Sequence, residues 1–274
     1  MAFEFATDRA PFVLRRGTRP LLVSIPHAGT YVPPGVWERL TPQARMLADT
    51  DWHLDRLYAF AEKLGASLLI ATHSRYVIDL NRPPDNTSLY PGKNVTGLCP
   101  VDTFEMAPLY EAGQGSNEAE IAQRLAAVWE PYHFELEAEL ERMRCEFGMA
   151  ALWDAHSIKS VVPRFFDGRL ADLNLGTAKG QSCDPRLARA LMAIASRNAR
   201  YSAVLDGRFT GGYITRHNGR PQHGIHAVQL EMTHCCYMDE APPFTYLPEV
   251  AALVQPQLRE MLETVLAFVE GAPK

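Results

Sequence analysis

The chain has 274 residues and a formal net charge of −5, with hydrophobic and charged fractions of 47% and 22%. These fractions are ordinary for a soluble globular protein, and the length allows one large α/β domain or at most two small ones. The acidic balance argues against a nucleic-acid-binding protein, and no stretch reaches the roughly 20 apolar residues of a membrane-spanning helix. A few local arginines can still attract an anionic substrate at contact distance.

Apolar runs alternate with helical patterns in the first half of the chain. In chain order we predict a strand at residues 21–25, a helix at 41–65, strands at 67–71 and 76–80, a loop at 83–100 and a helix at 117–147. Thr41 and Pro42 have the character of a helix cap and a first helical residue. The spacing of the first helix is interrupted near residues 49–51, and Pro131 predicts a kink or break in the second.

The second half continues the alternation. We predict a strand at residues 150–155, a long connection at 160–180 with a short strand at 172–175, a helix at 184–200, a strand at 202–205, a glycine-rich loop at 208–224, a strand at 226–232 and a helix at 247–269. Pro256 predicts a bend or restart in the last helix. This order favours an α/β fold with a mixed, mainly parallel sheet and helices on both faces. Because no linker or repeat interrupts the pattern, residues 1–274 are expected to form a single domain.

The five cysteines contain no Cys-x-x-Cys pair, which predicts free thiols in a reducing cytoplasm. Adjacent Cys235 and Cys236 could hold a metal or take part in redox chemistry. Neighbouring side chains on a strand point to opposite faces, however, and this favours two small residues packed after the strand.

Three strand ends carry side chains suited to hydrolytic chemistry. His27 follows the first strand, His156 ends the strand that begins at residue 150, and Glu231 ends the strand that begins at residue 226. In open α/β sheets, ligands bind at the carboxyl ends of the strands. Two imidazoles and a carboxylate at that edge are the components of a metal-assisted hydrolase.

Each of these residues also has a structural interpretation. A loop histidine such as His27 often serves packing alone, and His156 could be a core histidine bonded to the backbone. Asp154 shares a strand face with His156 and could fix its tautomer from outside the metal site. Glu231 lies inside an apolar strand, where an unpaired carboxylate is costly. A structural ion pair or a general base with a raised pKa would explain it equally well.

A third metal ligand is expected from residues 49–55, which contain several candidates. Asp51 is preferred, with Asp49 and His53 as alternatives. The segment could instead be a solvent-exposed helix start, where acidic residues are favoured by the helix dipole and bind no metal.

Arginines in and beside the loops could bind a carboxylate group of a substrate. Asn81 and Arg82 end the strand predicted at residues 76–80, and an arginine fork matches a carboxylate with two hydrogen bonds. Arg164, Arg208 and Arg216 lie in the later loops. Because most surface arginines are merely solvated, we rank them as Arg82, then Arg216, then Arg164.

Five strings of the chain together resemble the N-formylglutamate amidohydrolase (deformylase) family. They are VSIPHAG at residues 23–29, DTDWHLD at 49–55, IDLNRP at 78–83, WDAHS at 153–157 and GGYITR at 211–216. The resemblance runs from about residue 20 to 270 and implies a phosphorylase/hydrolase-like α/β fold, related to zinc carboxypeptidases and aspartoacylases. It also implies hydrolysis of N-formyl-L-glutamate to formate and L-glutamate in histidine degradation, with residues 79–82 supplying the clamp for a substrate carboxylate. These relatives take two zinc ligands from a His-x-x-Glu string, whereas this chain has Thr30 three residues after His27.

The sequence thus predicts a zinc-dependent amidohydrolase with one Zn²⁺, or another divalent metal, per chain. The expected metal ligands are His27, Asp51 and His156, and Glu231 is the expected general base. Asn81 and Arg82 would bind one carboxylate, and Arg216, with Arg164, the other. An amidohydrolase for another N-acyl amino acid and an inactive binding protein of the same fold are the alternatives. The oligomeric state is not predicted.

Overall fold

A seven-stranded sheet forms the centre of the structure, a computed structural model that describes residues 5–89, 91–92 and 94–271. Its strands are β1 Phe12–Arg15, β2 Leu21–Ile25, β3 Ser67–Ala71, β4 Ala150–Ile158, β5 Leu173–Gly176, β6 Ala203–Leu205 and β7 Ile225–Thr233. The order across the sheet is β1-β3-β2-β4-β7-β5-β6. Among these seven strands, β1 pairs with β3 and β5 with β7 in antiparallel fashion, and the other neighbours are parallel. The prediction of a mixed, mainly parallel sheet is confirmed.

Helices cover both faces of this sheet. The α-helices are α1 Pro34–Trp37, α2 Leu54–Leu57, α3 Glu118–Arg124, α4 Glu130–Phe147, α5 Pro185–Ala195, α6 Tyr213–Asn218 and α7 Pro248–Glu270. One apolar core packs α5 and α7 against the sheet, and a second packs α4 against the opposite face. Strands β2, β4 and β7 are buried along their whole length, which explains why they read as nearly continuous apolar runs.

The long helical pattern of residues 117–147 is interrupted, as Pro131 predicted. Asn117 caps α3 by accepting a hydrogen bond from the Glu120 amide. A π-helical turn, Leu125–Trp129, then separates α3 from α4, and Pro131 lies at the start of α4. Proline has no amide hydrogen to donate, and this loss disturbs the helical ladder one turn earlier. Pro256, by contrast, lies inside an unbroken α7.

Two predicted elements are wrong. Residues 41–65 contain α2 and the 3-10 turns Ala44–Met46 and Ala59–Leu64 instead of a helix interrupted near residues 49–51 alone. Leu47 and His53 adopt left-handed backbone conformations there, which a continuous helix excludes. Residues 76–80 are irregular, with turns at 76–77 and 80, rather than a strand, although their apolar side chains are buried. A short apolar run cannot by itself distinguish a strand from a buried irregular segment.

The remaining differences are smaller. Strand β1 was not predicted, and α6 lies within the predicted loop at residues 208–224. The predicted loop at 83–100 is irregular where the structure describes it; positions 90 and 93 lie outside the described residues. Within the described residues, no helix has both the length and the apolar character needed to cross a membrane. The expectation of a single domain over residues 1–274 stays a prediction.

Candidate active site

Three neighbouring parallel strands place the candidate residues at one edge of the sheet. His27 lies two residues beyond β2, while His156 and Glu231 lie near the ends of β4 and β7. The register of β4 and β7 sets His156 directly beside Glu231. All three side chains are buried. The sheet topology therefore brings together residues that are up to about 200 positions apart in sequence, at the edge where α/β sheets bind ligands.

Asp51 joins the two histidines. One ligand-type atom from each of His27, Asp51 and His156 lies within 4.8 Å of the others. The Asp51 Oδ2 atom is 3.3 Å from His156 Nδ1 and 3.8 Å from His27 Nδ1. The Asp51 amide also donates a hydrogen bond to the His27 carbonyl, which holds the two segments together.

The two alternatives to Asp51 have other partners. The Asp49 carboxylate accepts a hydrogen bond from the Phe104 amide. The His53 ring contacts the Phe244 carbonyl through Nε2. Of the three candidates in residues 49–55, the structure places only Asp51 with both histidines.

Carboxylates hold the outer nitrogens of both histidine rings. The Asp79 Oδ1 atom is 2.7 Å from His27 Nε2, and Arg75 donates to Asp79 Oδ2. On the other ring, Asp154 Oδ1 lies 3.2 Å from His156 Nε2, and Asn81 Nδ2 lies 2.9 Å from the same atom. A carboxylate behind a histidine fixes the tautomer that presents the other nitrogen to a metal.

The inner atoms of this cluster suit a divalent cation. His27 Nδ1 is buried and has no hydrogen-bond partner among the described residues, whereas Asp51 Oδ1 lies 3.8 Å from Arg75 Nη1. An unpaired buried nitrogen is costly, and a cation coordinated by it removes that cost. Two imidazole nitrogens and one carboxylate oxygen are a common donor set of catalytic zinc sites.

The electrostatics of the cluster favour a neutral His27 and positive charge near His156. Burial and the Arg75 charge lower the pKa of His27, which favours the neutral imidazole that ligates metals. Burial opposes ionisation of Asp51, but His156 and His27 outweigh it and lower the pKa of that carboxyl. Burial alone would lower the pKa of His156, but the Asp154 and Asp51 carboxylates hold that pKa well above its ordinary value. A cationic group is therefore favoured between these carboxylates.

Glu231 differs from the carboxylates around it. Burial raises its pKa to about 8, against the opposing effect of His156. Its Oε2 atom accepts a 3.3 Å hydrogen bond from Gln229 Nε2. Among the described residues, no cationic side chain forms an ion pair with Glu231, so the structural ion pair that would explain a buried glutamate is not found there. A carboxyl group with a pKa near neutrality can both accept and release a proton.

A narrow cavity opens beside the cluster. The volume of this cavity that is open to the centres of water molecules is about 60 Å³. Its walls include His27, His156 and Glu231, together with a charged set of Arg75, Arg82 and Arg208 and an aromatic set of Phe104, Phe165 and Phe209. The cavity therefore combines the candidate metal ligands, the candidate base and positive charge suited to an anionic ligand.

The predicted substrate-binding residues divide into two groups. Asn81 and Arg82 line the cavity. The Asn81 side chain bridges His156 and the Ile214 amide, and the Arg82 guanidinium donates to the Thr96 carbonyl and hydroxyl oxygens. Arg164 instead pairs with Asp102, and Arg216 lines a neighbouring cavity and donates to the Gly211 carbonyl.

Arg208 was named in the sequence analysis but not ranked as a substrate-binding residue. In the structure it lines both cavities. Its Nε donates to the Phe165 carbonyl, and its guanidinium lies over the Phe209 ring. Arg75 was also not singled out from the sequence. Nothing in the spacing of these arginines shows which of them faces the cavity, because their direction depends on the course of long loops.

Comparisons with known proteins agree on one family. A family model described as N-formylglutamate amidohydrolase matches residues 19–238. The chain is 53% identical over 254 residues to an N-formylglutamate deformylase of Pseudomonas aeruginosa, with 93% of this chain and 95% of the relative covered. It is 49% identical over 253 residues to an N-formylglutamate deformylase of Pseudomonas putida, with 92% and 94% covered.

Solved structures share the fold. A crystal structure of N-formylglutamate amidohydrolase from Ralstonia eutropha superposes with a TM-score of 0.81 at 26% identity, covering 95% of this chain and 98% of that one. The gene product Atu2144 from Agrobacterium tumefaciens superposes with a TM-score of 0.70 at 20% identity, covering 94% and 96%, which shows a common fold alone.

Proposed function

The chain belongs to the N-formylglutamate amidohydrolase family, and from that membership we propose that it hydrolyses N-formyl-L-glutamate to formate and L-glutamate. The observation that carries this proposal is the convergence of His27, Asp51, His156 and Glu231 beside a cavity lined with arginines. That arrangement offers a metal site, a base and positive charge for a dianionic substrate.

We propose that His27, Asp51 and His156 hold one divalent metal per chain, zinc being the ion that this donor set suits best. The support is the geometry of the two Nδ1 atoms around Asp51 and the unpartnered His27 Nδ1. When bound, such a metal polarises a carbonyl oxygen and lowers the pKa of water.

The chain's own residues would then handle the proton. Glu231 accepts it from the attacking water and later gives it to the nitrogen of the departing glutamate. A pKa of about 8 makes both transfers accessible near neutral pH. Asp79 and Asp154 are positioning residues in this scheme, because they hold the His27 and His156 rings without touching the substrate.

Substrate recognition requires partners for two carboxylates. Arg82 remains our proposal for one of them, and the carboxylate would take over the guanidinium bonds now made to Thr96. Asn81 lies beside it but is held between His156 and Ile214, so we propose that it positions His156 as well.

For the second carboxylate we propose Arg208 ahead of Arg216 and Arg164. Arg208 lines the cavity that contains Glu231, whereas Arg216 lines only the neighbouring cavity and Arg164 is paired with Asp102. For Arg216 or Arg164 to take this role, the loop that carries it would have to rearrange.

In keeping with the family resemblance, we place this reaction in histidine degradation and in the cytoplasm, where free cysteines are stable. Five free cysteines occur in the structure, which is consistent with that location.

A panel of substrates tests the proposed function. The purified chain, supplied with Zn²⁺, is assayed for formate or acyl release from N-formyl-L-glutamate, N-formyl-L-aspartate and N-acetyl-L-glutamate. We expect N-formyl-L-glutamate to give the highest kcat/KM. A higher kcat/KM for either analogue would assign the chain to another N-acyl amino acid. Zinc binding with no hydrolysis of any of the three would favour a binding protein.

A further inference from the structure

Two adjacent cysteines lie just beyond the last strand of the sheet. Cys235 is exposed and Cys236 is buried, and both belong to the 3-10 turn His234–Cys236 that follows β7. Each sulfur is 3.3 Å from the Thr233 hydroxyl oxygen. The sequence interpretation set the two side chains on opposite faces of a strand; because they occupy a turn instead, their sulfurs lie on the same side.

The surroundings of this pair decide what it can do. The two sulfurs and the Asp172 carboxylate lie within 4.8 Å of one another, a spacing that would allow a metal. However, Asp172 Oδ1 already accepts from Arg169 and Thr233, and its Oδ2 accepts from the Ser202 amide and hydroxyl. With both carboxylate oxygens committed, the cluster offers two sulfur ligands, which is too few for a closed zinc site.

A positive charge lies beside the exposed sulfur. The Arg169 Nη2 atom is 3.3 Å from Cys235 Sγ. Contacts with Cys236, Thr233 and Arg169 lower the pKa of Cys235 to about 6, against burial and the Glu240 charge, which raise it. An exposed thiolate beside a cation, with a second thiol within reach, is the arrangement found at peroxide-sensitive cysteines.

We propose that Cys235 and Cys236 form a thiol modification site, in which a hydroperoxide oxidises Cys235 and Cys236 resolves the product to a disulfide. In the first step the Cys235 thiolate attacks one peroxide oxygen. The O–O bond breaks, Cys235 becomes a sulfenic acid, and the other oxygen leaves as hydroxide and is protonated to water when the peroxide is H₂O₂. The Cys236 sulfur then attacks the sulfenic sulfur, the S–S bond forms and the S–O bond breaks, and the sulfenic hydroxyl leaves with the Cys236 thiol proton as a second water. Two thiols and one hydrogen peroxide thus give one disulfide and two waters.

The chain contains a matched control for this site. Cys145 is also exposed, but its thiol donates a hydrogen bond to Glu141. That contact, followed by desolvation and the Glu141 charge, raises the pKa of Cys145. Cys235 should therefore react as a thiolate at neutral pH, whereas Cys145 should remain protonated.

Mass spectrometry tests the oxidation directly. The purified full-length chain is treated with one equivalent of hydrogen peroxide, its remaining thiols are alkylated, and the peptides are mapped. We expect a disulfide between Cys235 and Cys236 while Cys145 remains alkylated. In Cys236→Ser, a sulfenic acid at Cys235 should be trapped by dimedone, and in Cys235→Ser no oxidation should occur at Cys236. Equal or faster oxidation of Cys145, or oxidation of Cys235 to sulfinic acid with Cys236 still free, would overturn the proposal.

Alkylation rates test the electrostatic cause separately. The rate of iodoacetamide labelling at Cys235 should reach half its maximum near pH 6, and labelling of Cys145 should still be rising at about pH 9. Arg169→Gln removes the adjacent cation and should shift the Cys235 midpoint upward. A Cys235 midpoint that matches Cys145 in the parent chain, or that does not move in Arg169→Gln, would contradict the proposed site.

Discussion

Each of the two candidate ligand histidines has one ring nitrogen near a carboxylate and the other facing Asp51. Asp79 holds His27 and Asp154 lies against His156. The sequence identified both histidines because each follows or ends an apolar strand. It could not identify Asp79 as the partner of His27, since the contact joins residues 52 positions apart through a segment that is not a strand.

Glu231 is the residue on which the proposed proton transfer depends. Glu231→Gln keeps the size of the side chain but removes its capacity to accept a proton, so turnover should fall by about 10²- to 10⁴-fold. Metal content and the circular dichroism spectrum should match the parent chain. Near-normal turnover with metal bound would assign the base role elsewhere, and Asp154 would be the next candidate.

Asp79 is expected to act through His27. Asp79→Asn removes the charge that holds the His27 tautomer and leaves Arg75 with only its longer ion pair to Asp51, so metal affinity should fall by about 10- to 100-fold. A competition titration against a chelator measures this change. Asp85→Asn, at an exposed position in the following loop, serves as the control and should bind metal like the parent. Equal affinity in both variants would remove Asp79 from the positioning role.

The structure favours Arg208 for the second substrate carboxylate, whereas the sequence favoured Arg216. Arg208→Lys keeps the charge and loses the planar fork, so kcat/KM for N-formyl-L-glutamate should fall by about 10- to 100-fold, mainly through KM. Arg216→Lys is the matched control, because Arg216 lines only the neighbouring cavity. If Arg216→Lys shows the larger loss, the assignment of the second carboxylate to Arg216, as predicted from the sequence, is correct.

At the scale of elements, the strands that form the site are those that the sequence predicted best. Strands β2, β4 and β7 are buried on both faces, so their apolar runs and their ends are visible in the sequence. The segments that complete the site are irregular. Asp51 lies in the irregular stretch where the helical spacing was predicted to be interrupted, and residues 76–80 are irregular where a strand was predicted. Local periodicity cannot predict such segments, because tertiary contacts rather than repeating hydrogen bonds fix their course.

One close contact between elements supports the site. The Gly212 amide at the start of α6 donates to Gln229 in β7, and a Cβ atom at Gly212 would lie 2.3 Å from Asn81 Nδ2. Gly212→Ala should therefore push Asn81 away from His156 and lower kcat/KM by about 10-fold or more, since an ångström of misplacement is costly in catalysis. Gly115→Ala, where nothing lies within 4 Å of the added Cβ, should be neutral. Equal activity of the two variants would show that the Asn81 contact is dispensable.

At the scale of the whole molecule, the sheet brings distant parts of the chain to one catalytic edge. Because β2, β4 and β7 are neighbours in the sheet, the end of β2 near residue 25 lies beside the ends of two strands that begin at residues 150 and 225. The fold class followed from the alternation of strands and helices, and the family from the order of five short strings. Neither could give the direction of the arginines in the long loops, which depends on how those loops fold over the cavity.

Metal titration of the chelator-treated chain tests the central claim most directly. Formate release from N-formyl-L-glutamate is measured as Zn²⁺ is added in steps, with Asp51→Asn carried through the same titration. We predict that the metal-free chain is inactive, that activity rises to a plateau at about one zinc per chain, and that Asp51→Asn needs far more zinc to reach any activity. Full formate release by the metal-free chain, or a plateau in Asp51→Asn at the same zinc concentration and rate, would contradict the account.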